Sequence, residues 1–476
     1  MRISVLAVMA SLSVRALCSL CLCGGIGFWG GRVPPKFRNK RITVVGLARS
    51  GIAAARALKD LGAVVTVTDR KTAYDLREET RMLGAGIDLA LGGHPEKVFL
   101  EADLIVLSPG VPKIPQVLAA RRRGVPVISE LELAWLLSDS PFIGITGTNG
   151  KSTVTTLVGL MMEKARKRTL VAGNIGNALT QDPALLLRRD WIVAELSSFQ
   201  LEDIKTFRPR VAAVLNVTQD HLDRYRDMRE YAEAKARIFA NQRKGDVLVL
   251  NFDDPVVKAF TKRTAATVVP FSRLLRFNPG ACVLDGKVLF NGKRVCRVDE
   301  IRIAGVHNLE NALAASAVAL SAGADRRSVA AVLREFPGLE HRLEFVRERR
   351  GVMYINDSKG TNVGAVMKSV EGFTQPVILI AGGLDKGSDF SPLYELIRNR
   401  VKLLVLVGKA AKKMAEALGT ATETVFADTL QDAVRTAAGR AASGDVVLLS
   451  PACASFDMFR DFEDRGRQFK EAVKDL

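Results

Sequence analysis

Short runs of β-branched and aliphatic residues alternate, over most of the chain, with stretches whose apolar positions recur every three or four residues. That alternation is the signature of parallel sheets joined by crossover helices. A first α/β unit contains predicted strands Arg41–Val45, Val64–Thr68 and Asp103–Leu107, with an Ala-rich helix over Ile52–Leu61. Glu130–Ser138 predicts a short helix leading to a new start at Pro141. A second unit follows: strand Phe142–Ile145, a Gly-rich turn, a helix from Lys151 to about Lys167, then strands Trp191–Ala194, Val211–Leu215 and Val247–Leu250. Cys282–Leu284, Lys287–Phe290 and Lys293–Val298 are separated by Asp-Gly and Asn-Gly turns and predict a small hairpin insert. After a helix from Asn308 to about Ser321, Pro337-Gly338-Leu339 marks a hinge into a third unit with strands Met353–Ile355, Val377–Ala381, Leu403–Val407 and Val446–Leu449. The division is therefore an extension at 1–36 and units at 37–138, 139–338 and 339–476.

A length of 476 residues suits this count, at roughly 100–200 residues per domain. Apolar residues at 48% and charged residues at 25% give the balance of a soluble globular protein. The net charge of +18 raises the question of nucleic acid. The basic residues are scattered in short clusters such as Arg121-Arg122-Arg123, however, and only 6% of residues are aromatic. A basic surface that handles small anionic substrates is the better reading, with no nucleic-acid partner. Of six cysteines, Cys18, Cys21 and Cys23 lie near the start and Cys282, Cys296 and Cys453 are spread singly, which builds neither a disulfide framework nor a zinc site. Met1–Gly31 is apolar, with Arg2 and Arg15 as its charges, and resembles a weak signal or anchor. Arg15 interrupts it and no clear small-residue cleavage site follows, so it reads as an over-extended start or dispensable extension of a cytoplasmic protein without stable membrane association.

The strongest chemical signal is the segment Ile143-Gly-Ile-Thr-Gly-Thr-Asn-Gly-Lys-Ser-Thr153 between a strand and a helix. Gly147 and Gly150 let backbone N–H groups turn inward, and the following helix N-terminus adds partial positive charge. Gly147, Thr148, Asn149, Gly150, Lys151, Ser152 and Thr153 thus form a phosphate loop for ATP or GTP. Lys151 reaches the β- and γ-phosphates and Ser152 ligates Mg²⁺. Five residues separate Gly144 from Gly150, one more than in the common P-loop. Glu195 ends an apolar strand, where a carboxylate can hold Mg²⁺ or simply be solvated.

Thr146-Gly-Thr-Asn-Gly-Lys-Ser-Thr153 is similar to the P-loop of the Mur ligases and the folylpolyglutamate synthetases. Further segments resemble the Mur ligases in order: Gly173-Asn-Ile-Gly176, Glu195-Leu-Ser-Ser-Phe-Gln-Leu201, Asn216-Val-Thr-Gln-Asp-His-Leu-Asp-Arg-Tyr225, Ala234-Lys235, His307-Asn308 and His341-Arg342. Asn356-Asp-Ser-Lys-Gly-Thr361, Gly382-Gly-Leu-Asp-Lys-Gly387 and Ser450-Pro-Ala-Cys-Ala-Ser-Phe456 follow. The first and last of these three look like the D-glutamate-adding branch. The resemblance implies an α/β fold of three domains: a Rossmann-like N-terminal domain, a central P-loop ATPase-like domain and a C-terminal Rossmann-like domain. It implies an ATP-dependent ligase that joins D-glutamate to UDP-N-acetylmuramoyl-L-alanine through an acyl phosphate.

Roles follow from the resemblance residue by residue. Lys151, His221, Lys235 and Asn174 are the implied catalytic group, and Ser152, Glu195, His221 and Lys235 hold two Mg²⁺ ions. Lys235 does so as a carbamate, although by itself it reads as a solvent-facing helix lysine. Asn308, which could simply cap its helix, joins Arg342 and Asp357 at the adenine nucleotide. Lys359, Thr361, Lys386, Ser455 and Phe456 are the D-glutamate candidates. In the first unit Gly46-Leu-Ala-Arg-Ser-Gly51 follows a strand and opens a helix, and Asp69 lies 23 residues beyond Gly46, which imitates a dinucleotide fingerprint. Ala48 stands where its middle glycine would be. Leu47, Ala48, Arg49 and Ser50 are read as the cradle of the UDP diphosphate, with Asp69 and Arg70 near uracil or ribose and Ser108, Pro109 and Gly110 near the sugar. Closure of the third domain is expected to complete the site.

Overall fold

Among the described residues three open sheets hold the strands, each formed from one continuous stretch of chain. The computed structural model describes residues 37–476 apart from Lys113, Leu222, Asp223 and Ala304. The extension at 1–36 lies outside these residues. Among them no helix is long and apolar enough to cross a membrane.

The first sheet comprises β1 (Arg41–Val45), β2 (Val64–Asp69), β3 (Asp88–Leu91), β4 (Leu104–Leu107) and β5 (Val127–Ser129), in the order β3-β2-β1-β4-β5 and all parallel. The order reverses between β1 and β4, so the loops after these two strands face each other across a crevice. The second sheet contains β6 (Phe142–Thr146), β7 (Thr169–Gly173), β8 (Trp191–Glu195), β9 (Val211–Val214), β10 (Val247–Asn251), β11 (Thr267–Ser272), β12 (Ala281–Leu284), β13 (Lys287–Phe290) and β14 (Lys293–Arg297). Its order is β14-β13-β12-β11-β10-β9-β6-β8-β7. The last three strands form an antiparallel meander, but β12 pairs in parallel with β11, so the expected hairpin insert is in fact the edge of the central sheet. Central β6 is buried along its whole length and lies between β8 and β9. The third sheet comprises β15 (Glu344–Arg349), β16 (Val352–Asn356), β17 (Val377–Gly382), β18 (Val401–Val407), β19 (Glu423–Ala427) and β20 (Val446–Leu449), in the order β15-β16-β20-β17-β18-β19. Only β15 runs antiparallel to its neighbour.

The first two units share a core, whereas the third has its own. One apolar cluster runs from Phe37, Ile52 and Leu58 through Leu131, Leu133 and Leu137 to Phe142, Ile192 and Phe207. Trp135, Phe142 and Phe207 meet edge to face with centroids 5.5–5.8 Å apart. Beside them two carboxylates on the helix Glu130–Leu137 are buried. Glu132 accepts hydrogen bonds from the N–H groups of Lys205, Thr206 and Phe207 and from the Thr206 hydroxyl, at 2.6–2.9 Å. Glu130 accepts from the N–H and hydroxyl of Thr180. The two cores of the third sheet contain residues of that sheet's own unit alone.

The Glu132 bonds predict that Glu132→Ala, which strands buried N–H groups, destabilises the protein by about 3 kcal/mol in urea-induced unfolding. An unchanged transition would contradict the linking role of this carboxylate.

Candidate active site

Adjacent strand ends of the central sheet deliver the site. The loop after β6 carries Gly147 and Gly150 at φ 157° and 84°, the second of them left-handed. A Cβ on Gly147 would stand 2.9 Å from that of Leu215. The segment after β9 braces the loop. Thr148 N–H donates to Asn216 O at 2.9 Å and Asn149 N–H to Asn216 Oδ1 at 2.8 Å, while Asn216 Nδ2 returns a bond to Asn149 O at 3.1 Å. Lys151 opens the next helix, Lys151–Lys164, and its Nζ donates to Gly147 O and Thr148 O at 2.9 and 2.8 Å. Lys235 donates to the same Gly147 O at 2.9 Å and lies over the Tyr231 ring, 4.3 Å from its centroid. At 1% exposure Lys235 is a buried residue, not the solvent-facing lysine that helix position alone allows. Burial drives its pKa well below the ordinary value, with Lys151 adding to the effect and Asp220 opposing it. Burial lowers Lys151 too, opposed by Glu195 and Asp220.

Glu195 stands at the end of β8, next to this loop, and is buried. Asn174 Nδ2 donates to Glu195 Oε1 at 2.8 Å, whereas the buried Oε2 has no hydrogen-bond partner. A buried carboxylate oxygen left open beside a phosphate loop fits a cation. Among the described residues no group of three His, Cys, Asp or Glu could enclose a metal by itself. Ser152, near the start of the helix after the loop, and Glu195 offer two oxygens, within the one or two protein oxygens that Mg²⁺ takes before completing its shell from phosphate and water. His221 has φ 56° and packs edge-on against Phe199, with centroids 4.9 Å apart. Burial lowers its pKa, opposed by Asp220 and assisted by Lys386, Lys151 and Lys235, so the imidazole is neutral at pH 7.

The third sheet covers this site from the opposite side. A cavity between the two units is walled by Asn216, His307, Asn311, Arg342, Asp357 and Lys359, among others. Buried Asp357 accepts from the hydroxyls of Ser369 and Ser450, both at 2.7 Å, and burial raises its pKa. Arg342 is lowered by burial against the pull of Asp357 and Glu195, and His307 is pushed down to about 4, chiefly by burial. The wall comes from His307, Glu310 and Asn311. Asn308 sits one step aside, accepting from Asn311 Nδ2 at 3.2 Å. Lys359 lies 3.6 Å above the centroid of Phe462, and burial, opposed by Glu195, brings its pKa to about 8. Lys386 Nζ is 3.8 Å from Asp220 Oδ1. Thr361 N–H donates to Lys359 O at 2.8 Å, Ser455 is buried, and Phe456 stands 70% exposed.

The first sheet contributes its crevice. Asp69 Oδ2 accepts from Leu47 N–H at 2.8 Å and so braces the loop after β1, while Oδ1 accepts from Lys71 N–H at 2.9 Å in its own turn. Leu47 is buried, leaving its backbone beside Ala48, Arg49 and Ser50 at the start of the helix Arg49–Asp60. Arg70 follows Asp69 at the end of β2. Ser108 Oγ donates to Gly46 O at 2.8 Å, which holds the Ser108-Pro109-Gly110 turn against that loop. Arg224 then links the units, donating to Gly110 O and Val111 O at 3.1 Å while lying over Phe199 at 4.5 Å.

Three family models match the chain: Mur ligase MurD-like N-terminal domain over residues 40–129, Mur ligase middle domain over 145–319, and Mur ligase glutamate ligase domain over 341–453. A protein of Pelotomaculum thermopropionicum named UDP-N-acetylmuramoylalanine--D-glutamate ligase is 47% identical over 448 residues, covering 92% of this chain and 98% of the relative. The chain belongs to the Mur ligase family. A Geotalea uraniireducens protein of the same name is 48% identical, with the same coverage of both chains. The crystal structure of MurC, a UDP-N-acetylmuramate-alanine ligase from Thermotoga maritima, shares the fold at TM-score 0.59 and 19% identity, over 92% of this chain and 100% of that one.

Sequence reasoning did not single out several residues that this Mur ligase brings to the cleft. Asn362 Nδ2 donates to Asn149 Oδ1 at 3.3 Å and Asp220 Oδ2 at 3.1 Å, latching the third unit onto the phosphate loop. Glu310 pairs with Arg273 at 3.2 Å and with Lys368 of the third unit at 3.0 Å. Asn362 had a local signal, since it caps the helix Val363–Glu371 directly after Thr361. Glu310 had none.

Proposed function

We propose that this Mur ligase uses ATP to join D-glutamate to the carboxylate of UDP-N-acetylmuramoyl-L-alanine, releasing ADP and phosphate, in cytoplasmic peptidoglycan precursor synthesis. The observation that carries the chemistry is the meeting of Lys151 and Lys235 on Gly147 O, beside the open Glu195 oxygen. The Lys151 ammonium at this loop favours an entering polyphosphate and the carboxylate it must meet. The amino acid rests on the names of relatives that match nearly end to end. No nucleic acid and no stable membrane contact is required. Units at 37–138, 139–338 and 339–476 bind the UDP substrate, ATP, and the amino acid with part of the nucleotide, respectively.

The UDP diphosphate rests on the backbone of Leu47, Ala48, Arg49 and Ser50, with Asp69 and Arg70 toward the nucleoside and Ser108, Pro109 and Gly110 toward the sugar. ATP phosphates lie on the loop of residues 147–153, against the N–H groups that open its helix, while Arg342, Asp357 and the Asn308 segment take the adenosine side. A carboxylate oxygen of the substrate attacks the γ-phosphorus, the bond to ADP breaks, and an acyl phosphate forms. Lys151 balances the charge gathering between the β- and γ-phosphates, and Asn174 orients Glu195. The D-glutamate carboxylates are held by Lys359, Lys386, Thr361 and Ser455, with Phe456 at the rim. The amine attacks the acyl carbon, a C–N bond forms, phosphate leaves with the C–O pair, and the amine gives up its proton. Magnesium, held by Ser152 and Glu195 and at a second position by His221 and Lys235, supplies neutralisation of phosphate charge. For that second position Lys235 is carbamylated: the uncharged form of the amine, which burial favours, adds CO₂ and loses a proton, becoming an oxygen ligand.

Two measurements test this reading. Phosphate release by the purified protein with ATP, Mg²⁺ and UDP-N-acetylmuramoyl-L-alanine is expected with D-glutamate and with no other amino acid. Release with a different amino acid would refute the substrate, and none with any would refute the ligase. For Lys235, protein equilibrated with ¹³C-bicarbonate is expected to show a carbamate carbonyl resonance that Lys235→Ala lacks; identical spectra would remove the carbamate.

A further inference from the structure

The C-terminal helix Phe462–Lys474 carries a buried arginine that the proposed chemistry does not use. Arg465 is 2% exposed. Its Nε donates to Ser358 Oγ at 3.0 Å, one terminal nitrogen to Ser358 O at 2.9 Å and Cys453 O at 3.2 Å, and the other to Ala454 O at 3.3 Å. Among the described residues no carboxylate forms an ion pair with it. A guanidinium offers five donors in a rigid fork, and here the fork is spent on backbone and hydroxyl oxygens rather than on neutralising its charge. Burial pushes its pKa down only to about 10, so it stays a cation at neutral pH.

The acceptors belong to the loops at neighbouring strand ends of the third sheet. Ser358 lies just after β16 and directly precedes Lys359; Cys453 and Ala454 lie after β20 and directly precede Ser455. The third loop, after β17, is tied to the second through Leu384 N–H to Ala454 O at 2.9 Å and Ala454 N–H to Leu384 O at 3.0 Å. A Cβ on Gly383 would come within 3.2 Å of an Arg465 nitrogen, so this loop also rests against the guanidinium. Ser358 Oγ in turn donates to Phe462 O at 2.8 Å, and the Phe462 ring lies beneath Lys359. Lys359, Lys386 and Ser455 thus come from separate loops that one side chain holds in register.

We infer that Arg465 is a positioning residue of the amino-acid subsite, locking the loops after β16, β17 and β20 into the spacing that a dicarboxylate amino acid requires and placing a fixed positive charge behind them. This rests on the amino-acid subsite proposed above. Its action is through Lys359, Lys386 and Ser455, because its own donors are already engaged.

The test is steady-state kinetics on the full chain for Arg465→Lys, Arg465→Met and Ser358→Ala, each with a thermal melt, varying D-glutamate, ATP and the UDP substrate in turn. Arg465→Lys keeps charge but not the fork, and is expected to raise KM for D-glutamate about tenfold, the equivalent of one charge-assisted hydrogen bond. KM for the UDP substrate is expected to stay within about twofold, which separates lost positioning from general damage. Ser358→Ala is expected to raise the same KM, and combined with Arg465→Lys to add little. A folded Arg465→Lys protein with unchanged KM for D-glutamate, or with all three KM values raised together, would overturn the inference. Should the arginine variants fail to fold, Ser358→Ala decides on the same criterion. If the unaltered protein takes another amino acid, the substrate assignment fails while the KM comparison, run with that amino acid, still tests Arg465.

Discussion

Two lysine side chains, those of Lys151 and Lys235, are withdrawn from water and share one acceptor, the carbonyl of Gly147. Burying two like charges side by side is unfavourable unless anions balance them or one group gives up its proton. Glu195 and Asp220 supply part of that balance, as their opposition to the lowered lysine pKa values shows. The remaining balance is what an incoming triphosphate and carboxylate provide. Much of the surrounding structure serves this arrangement. The left-handed Gly150 turns the loop, Asn216 pins it from the next strand end, and the fully buried β6 sets its starting point.

Topology explains why the chemistry is assembled from distant parts of the chain. In a parallel sheet all strand ends of one kind fall on one edge, so Lys151, Glu195 and His221 become neighbours because β6 lies between β8 and β9. The third sheet does the same with the loops after β16, β20 and β17. Its cores are separate from the others and its link to the phosphate loop is polar, through Asn362, Lys386 and the Glu310–Lys368 pair. Polar contacts of this kind exchange readily with water, unlike an apolar core. The first two units share an apolar core and two buried carboxylates, which fixes their relative placement.

The phosphate loop was legible in the sequence because its logic is local: a strand, two glycines, a lysine and a helix start within a dozen or so residues. Most central strands were legible for the same reason, being short apolar runs. Edge strands were missed because they meet solvent: β15 is polar in composition, Glu344-Phe-Val-Arg-Glu-Arg349, and β19 is five residues with none buried. Lys235 could be read either way, since nothing in a helix of mixed residues says that its lysine points inward. Asp69 could be placed near the nucleoside by spacing, but not its Oδ2, which accepts from Leu47 N–H across 22 residues and braces the loop after β1. Arg465 bonds a partner 107 residues away and Glu310 pairs across tens of residues, separations at which only folding reveals the partners.

The central claim is that the cation-lined loop activates a carboxylate by phosphorylation. It is tested most directly with UDP-N-acetylmuramoyl-L-alanine labelled with ¹⁸O in both carboxylate oxygens. After complete turnover with unlabelled ATP and D-glutamate, mass spectrometry of the released phosphate is predicted to show one ¹⁸O per phosphate, with the other retained in the amide. Phosphate free of label would contradict the account.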